Sequence, residues 1–503
     1  MRLKELIQGI EIRGTFGSLD LEISAIHYDS REVTRNSLFV ALRGWRSDGH
    51  AYLREAISRG ASAVVIEEDS MASDAAVTFL RVPDARKALA LMAGNFHGHP
   101  GEGLHLIGVT GTNGKTTITY LVQSILTAAG EKAGRMGTIS YATGQEEYPA
   151  PHTTPEPVQL QLFLRKMADA GCRFVVMEVS SHALAQDRVY GCRFDTAVFT
   201  NLTRDHLDYH PDMESYFQAK ARLFHPTLLK NRAVVHGDDP YGRKLLEEIS
   251  LPVWSYGIDA PWDIRSENMS STLDGIRFEA VTPIGVFPVH SKLLGRYNVA
   301  NILGAIGAAL SFGISPRDIS QGVRDLENVP GRMEKIDEGQ DFTVIVDYAH
   351  TEDALSRLLQ ALDGSEDRKI IVVFGCGGER DRGKRSLMGK TAAMRSDRVI
   401  LTTDNPRNES PSGILSEIET GVRDAMEQGI GRVRGYRIIE DREEAIREAI
   451  REAGRGDWVV IAGKGHEAFQ VIGGKRVPFD DREVARAAIR ERGAESGERN
   501  GRC

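Results

Sequence analysis

Cysteine is scarce in this sequence, and where it occurs it is scattered. Cys172, Cys192, Cys376 and Cys503 include no CxxC pair, so neither a disulfide framework nor a cysteine-built zinc site is indicated, and reduced thiols are expected. An excess of positive charge is missing too. Lysine and arginine number 63 against 71 aspartates and glutamates, for a formal net charge of −8, and no basic cluster is interleaved with aromatic residues. That leaves no footprint of nucleic-acid binding and points to a small-molecule partner. Long apolar runs are absent as well. The longest, around "ILGAIGAALSFGI", is too short to span a bilayer, and "MRLKELIQGIEIRG" has no sustained apolar core of the kind a secretion signal needs. A cytoplasmic protein without membrane insertion is expected. No fixed-period repeat occurs.

A regularly spaced phosphate loop is also missing, in a stretch that otherwise looks like one. In "GVTGTNGKTT", Gly108 to Thr117, the usual interval of four residues before Gly-Lys-[Ser/Thr] would require a glycine where Val109 stands, with Gly108 and Gly111 on either side. The context nevertheless favours a nucleotide site. "LHLIGVT" reads as a short apolar strand, and Ile118, Leu121, Val122, Ile125 and Ala129 recur at helical spacing until Gly130 supplies a stop. A loop between strand and helix lets Gly111 and Gly114 bring backbone close to phosphate oxygens, offers unpaired N–H groups at the helix start, and adds the charge of Lys115. Thr116 or Thr117 can hold Mg²⁺ through a hydroxyl. The alternative is a glycine-rich turn with a solvated lysine.

A chain of 503 residues is long for one core, and about three domains are expected. Two glycine- and proline-containing joints, "HGHPGEG" at His97 to Gly103 and "NVPGRME" at Asn328 to Glu334, divide it into segments 1–98, 99–330 and 331–503. Each alternates strand and helix patterns, so the fold class is α/β. The tail "RERGAESGERNGRC" is polar and expected to fray.

Within the central segment, "FVVMEVSSHAL" carries Glu178 as its only charge. A carboxylate at a strand end beside a phosphate loop suits a Mg²⁺ shell, although a strand-end carboxylate that caps nearby backbone fits equally well. "VFTNLTRDHLDYH" crowds Asp205, His206, Asp208 and His210 together, in a pattern that an ordinary charged turn would also give. Lys220 sits between aromatic residues in "YFQAKARLF", where a lysine usually snorkels to water. In the last segment, "FTVIVDYAH", "KIIVVFGCGGERDRGKR", "RVILTTDNPR" and "DWVVIAGKGHE" are strand-like runs ending in polar or glycine-rich motifs. Ligands bind at the carboxyl ends of parallel strands, so Asp347, His350, Arg380, Asp404, Arg407, Lys464, His466 and Glu467 are candidates to converge there.

Together "GTNGKTT", "HTTPEP", "MEVSSHAL", "NLTRDHLDYH", "GRYNVANILGA", "VPGRME", "DYAH", "GCGGERDRGKR", "DNPR" and "GKGHE" resemble the Mur ligase family of ATP-dependent amide-forming enzymes over nearly the whole chain. The family's phosphate loop has the GTNGKT form, which accounts for the irregular register. The resemblance implies a small N-terminal α/β domain that binds the UDP-sugar, a central P-loop-type parallel-sheet ATPase domain, and a C-terminal Rossmann-like α/β domain that binds the amino acid. It implies addition of meso-2,6-diaminopimelate to the D-glutamyl γ-carboxylate of UDP-N-acetylmuramoyl-L-alanyl-D-glutamate through an acyl phosphate, by a monomer. An L-lysine-adding ligase, a folylpolyglutamate synthetase, and a regulatory or mechanical P-loop NTPase are the competing readings.

Residue by residue, the resemblance places ATP at Gly111, Thr112, Asn113, Gly114, Lys115, Thr116 and Thr117, with adenosine contacts at Asn301, Arg332 and Asp347. It assigns one Mg²⁺ to Thr116 and Glu178 and a second to His206 and Lys220, the lysine carrying a CO₂-derived carbamate. The muramoyl-dipeptide falls to Ser30, Thr153, Thr154, Ser180, Gln186 and Arg188. Diaminopimelate falls to Arg380, Asp404, Asn405, Pro406, Arg407, Gly463 and Glu467. Lys115, Glu178, His206 and Lys220 form the implied catalytic set. The sequence departs from the family pattern at His152, where Asn is common, at Glu379, where Asp is common, and at Glu352, where Pro usually follows "DYAHT".

Overall fold

The computed structural model describes residues 1–44, 47–68, 77–272, 275–362 and 368–500, with side chains as far as residue 494. Its strands form three principal sheets that follow one another along the chain. The first has five strands in the order Gly14–Phe16, Thr78–Arg81, Ala61–Ile66, Ser37–Val40, Ala25–His27, parallel except for the first pair.

The second sheet has eleven strands. Its middle is parallel and built around His105–Thr110, which pairs with Phe174–Glu178 on one side and Phe194–Phe199 on the other. These strands are buried on both faces and read as nearly unbroken apolar runs, as parallel strands under helices do. Their side chains alternate between two cores. Ile107, Val109, Val176 and Val198 face one, and Leu106, Val175, Met177, Ala197 and Phe199 face the other. The helix Lys115–Ala128 buries Ile118, Leu121, Val122 and Ile125 against the first of these cores, and Gly130, at φ 78°, ends it where the spacing predicts a stop. Antiparallel meanders extend both edges of the sheet.

The third sheet has six strands. Thr343–Asp347, Trp458–Ala462, Ile370–Phe374 and Arg398–Leu401 lie side by side and parallel, so the four motifs that follow them emerge at one edge. Cores lie on both faces, one lined by Ile345, Val372 and Val460, the other by Val344, Val373 and Val459. The final helix runs from Asp481 to Asn500 and takes in most of the polar tail. Cys172, Cys192 and Cys376 are free and buried, while Cys503 lies outside the described residues. Among the described residues no helix is long and apolar enough to cross a membrane.

Candidate active site

A cleft opens between the carboxyl edges of the second and third sheets. One wall is the loop Thr112–Gly114 and the start of the helix that follows it. Gly111 and Gly114 lie in the left-handed region at φ 143° and 87°. A Cβ on the first would stand 1.9 Å from Thr200 Oγ1, and on the second 2.3 Å from Asn301 Oδ1, so only glycine fits either place. Lys115 Nζ donates to the carbonyls of Gly111 and Thr112, both at 2.8 Å, instead of extending to water. Burial lowers its pKa, helped by the neighbouring Arg332 and opposed by Glu178.

Glu178 is buried at the end of its strand and accepts from Thr116 Oγ1 at 2.9 Å, from Thr138 N–H at 2.9 Å and from Thr138 Oγ1 at 3.0 Å. The carboxylate therefore caps backbone, as one of the two readings expects, and also reaches the phosphate-loop threonine. Arg332 arrives from the second joint, donates to Thr116 Oγ1 at 3.1 Å and stacks over Tyr348. Asp347 accepts from the Met333 and Ala349 N–H groups, which folds the joint onto the strand end. Asn301 comes from the helix Arg296–Leu310.

Lys220 is 1% exposed, contrary to the usual behaviour of a lysine at the end of an amphipathic helix. Its Nζ donates to the Gly111 carbonyl at 2.8 Å, directly behind the phosphate loop. Burial, and then the like charge of Lys115, hold its pKa well below the ordinary lysine value. His206 adopts φ 55°, and partial burial lowers its pKa despite Asp205 at 3.6 Å. Asp205 also faces His350 of the third sheet at 3.7 Å. Among the described residues no three His, Cys, Asp or Glu side chains are grouped closely enough to hold a metal ion by themselves.

The residues implied for the dipeptide fall into a connected group and one outlier. Thr153 Oγ1 lies 3.1 Å from Thr138 Oγ1, and Thr154 Oγ1 donates to the Glu178 carbonyl and accepts from the Ser180 N–H. Arg188 donates to the Thr154 carbonyl and the Gln186 side chain and pairs with Glu156 at 2.8 Å. Ser30 stands apart, its hydroxyl donating to Glu55 at 2.8 Å within the first sheet's unit. Its neighbour Tyr28 reaches this region, with burial raising the phenol's pKa to about 12 in the field of Glu156 and Arg188.

The residues implied for the amino acid gather in a second cluster on the third sheet. Asn405 Nδ2 donates to Glu467 at 2.9 Å, and the fully buried Lys464 donates to both Asn405 Oδ1 and Glu467. Asp404 lies so close to Gly463 that a Cβ there would stand 2.6 Å from Asp404 Oδ2. Arg407 donates to the Gly378 carbonyl and, among the described residues, forms no ion pair. The nearby Glu409 is taken by the buried Arg385 at 3.0 Å. Arg380 approaches Asp208 of the central unit at 3.9 Å, and Arg204 pairs with Asp381 at 3.0 Å, so this cluster meets the "TRDHLD" loop.

The departures are accommodated locally. Glu352 opens the helix Glu352–Gln360 and accepts from Thr391, His152 offers its carbonyl to Tyr141, and Glu379 adopts φ 52°. Sequence reasoning missed Thr138, which braces Glu178, and Tyr297, which lines the cleft beside Asn301. Tyr297 lies inside "GRYNVANILGA", but only the fold shows that it lines the cleft while packing against the third sheet's core. For Thr138 no sequence signal exists.

Three family models match the chain: the Mur ligase family catalytic domain over residues 22–97, the Mur ligase middle domain over 109–309, and the Mur ligase glutamate ligase domain over 331–465. A UDP-N-acetylmuramoyl-L-alanyl-D-glutamate–2,6-diaminopimelate ligase of Geobacter metallireducens is 48% identical over 98% of this chain and 99% of its own. The enzyme of the same name from Geobacter sulfurreducens is also 48% identical, over 99% of this chain and 100% of its own. A solved structure of a ligase with that name superposes with a TM-score of 0.67 at 34% identity, covering 98% of this chain and 99% of the other. With all three domain models matched in order and near full-length identity of this size, the chain belongs to the Mur ligase family.

Proposed function

We propose that the chain is an ATP-dependent carboxylate–amine ligase that adds meso-2,6-diaminopimelate to the D-glutamyl γ-carboxylate of UDP-N-acetylmuramoyl-L-alanyl-D-glutamate, a step of peptidoglycan precursor synthesis. The observation that carries this is the meeting, in one cleft, of the phosphate loop, Glu178 and His206 with Arg332 from the second joint and Asp347 from the opposite sheet. Full-length similarity to enzymes named for this reaction supports the substrates.

A carboxylate is a poor electrophile. It must first take the γ-phosphoryl group of ATP, giving an acyl phosphate and ADP, and the amine then displaces phosphate to form the amide. The difficulty is bringing an anionic carboxylate to an anionic phosphate, so the chain's task is positioning and charge screening. Gly111 to Thr117 cradle the phosphates with backbone N–H groups, and Lys115 turns its charge from two carbonyls to the β/γ-phosphates. Asn301, Arg332 and Asp347 hold the adenosine end. Thr153, Thr154, Ser180, Gln186 and Arg188 orient the dipeptide, with Ser30 on the uridine side. Arg380, Asp404, Asn405, Pro406, Arg407, Gly463 and Glu467 receive the diamino acid.

The residues fit divalent cations at two places. Thr116 and Glu178 already share a hydrogen bond beside the phosphate loop, and His206 is neutral. Such a hard cation takes the rest of its shell from phosphate and water, which explains why no protein cage is needed. When bound, the two Mg²⁺ ions supply charge neutralisation on the transferring phosphoryl group. Lys220 is suited to carry a CO₂-derived carbamate, because its buried amine is held toward the neutral form that reacts with CO₂.

The same reading gives three domains, 1–98 for the UDP-sugar, 99–330 for ATP and 331–503 for the amino acid, each containing one principal sheet. It also takes the chain to act as a monomer. A cytoplasmic location follows from dependence on ATP and a nucleotide sugar. Incubation with ATP, the nucleotide-sugar dipeptide and meso-diaminopimelate tests it: mass spectrometry should find the tripeptide product and ADP in equal amounts. An unchanged nucleotide sugar contradicts the proposal.

A further inference from the structure

The hairpin Phe469–Ile472 and Lys475–Pro478 belongs to none of the principal sheets and to none of the motifs that mark the family. Its turn, Gly473 and Gly474, lies in the left-handed region at φ 56° and 75°, as a tight two-residue hairpin demands. The free edge of its first strand is turned toward the loop Asp404–Arg407. The Val471 N–H donates to Asn405 Oδ1 at 2.9 Å, and the Val471 carbonyl accepts from the Arg407 N–H at 2.9 Å. The Gly473 N–H donates to the Arg407 carbonyl at 2.8 Å. Gln470 is buried, and its Nε2 donates to the carbonyls of Thr403 and Asp404 at 3.3 and 2.9 Å.

These contacts fall on a residue that needs holding. Arg407 has φ 54°, a conformation that side chains other than Asn and Asp seldom adopt, and which persists only where the surroundings over-determine it. Both of its backbone hydrogen-bonding groups end on the hairpin. A return to ordinary φ would swing the guanidinium away from the Gly378 carbonyl to which it now donates.

We propose that this hairpin sets amino-acid selectivity: Gln470, Val471 and Gly473 lock Arg407 in the left-handed conformation and so aim its guanidinium at the far carboxylate of the incoming diamino acid. Gln470 is a positioning residue, acting through the carbonyls of the loop and touching no reacting group. The inference rests on the amino-acid role given to Arg407 above.

Gln470→Met removes the donor at nearly constant volume, and Gly473→Val forces a β-branched residue into φ 56°, which strains the exposed turn without emptying the core. Each should raise KM for meso-diaminopimelate at least about tenfold and shrink the kcat/KM preference over L-lysine by a similar factor, with KM for ATP held within about twofold. Diaminopimelate KM and selectivity within about twofold of wild type in both variants, or ATP and diaminopimelate KM rising together, overturns the proposal. Arg407→Ala measured alongside separates the two levels. If it also leaves diaminopimelate KM unchanged, the role of Arg407 has failed and the hairpin's with it; if it alone raises that KM, only the hairpin proposal has failed.

Discussion

Lys220 and Gly111 stand 109 residues apart in sequence, yet the lysine Nζ donates to the glycine carbonyl at 2.8 Å. The contact places a buried amine against the back of the phosphate loop, with Lys115 close enough to oppose its protonation. A lysine kept only for packing has no need of that position. The proposed carbamate, which forms from the neutral amine, fits it.

Lys220→Ala should accordingly be nearly inactive and partly rescued by short carboxylates, which supply the missing anion, while raised bicarbonate should not help because no amine remains. Intact-mass measurement under CO₂ should find the wild-type chain heavier by one carboxyl group. A bare ammonium in fully active enzyme refutes the metal role of this residue.

Lys115→Ala should lower amide formation by at least about 10²-fold, as loss of one preorganised charge at a phosphoryl site does. Folding should survive, because the substitution removes a partly desolvated cation and leaves behind two carbonyls at the cleft wall. Thermal unfolding by circular dichroism together with phosphate release checks both halves. Near-normal turnover excludes the nucleotide role.

Acid should weaken the fold through the site itself. His466 is held neutral by burial first and then by Arg332 and Arg482, its pKa pushed down to about 3 from the ordinary 6.5. On acidification the unfolded chain therefore takes up this proton before the folded one. The penalty is absent above pH 6.5, and it grows by about 1.4 kcal/mol per pH unit as pH falls toward 3. Replacing His466 by Gln should reduce the loss of stability between pH 6.5 and 4.5, read from denaturant midpoints. Parallel pH profiles for wild type and variant contradict this.

Much of the architecture was legible because its signals are local. The apolar run ending at Thr110, the glycines flanking Asn113 and the helical spacing from Ile118 to Ile125 fix strand, loop and helix without reference to anything distant. The four motif-bearing strands of the third sheet were legible for the same reason. Long-range burial was not. Nothing near Lys220 says that its helix end is covered by the phosphate loop, and nothing near Arg385 says that its guanidinium will be 1% exposed between Glu409 and Glu417. The Gly473–Gly474 pair carries a local hairpin signal of its own, close to the stronger "GKGHE" motif.

Arg407→Ala should raise KM for meso-diaminopimelate by orders of magnitude and leave that for ATP nearly unchanged. A guanidinium grips a carboxylate through two parallel hydrogen bonds, and this one is half-buried, with burial lowering its pKa and Arg380 as a like-charged neighbour. Such a group gains most from an incoming anion. Unchanged diaminopimelate kinetics place the anion elsewhere.

The most direct test of the account is phosphate release from ATP across a panel of amino acids, with and without UDP-N-acetylmuramoyl-L-alanyl-D-glutamate. Sustained release should require both the nucleotide sugar and meso-diaminopimelate, and L-lysine, which would leave Arg407 desolvated and unpartnered, should be poorer by about 10⁴-fold in kcat/KM. Steady hydrolysis of ATP by the chain alone, or equal use of lysine, would contradict it.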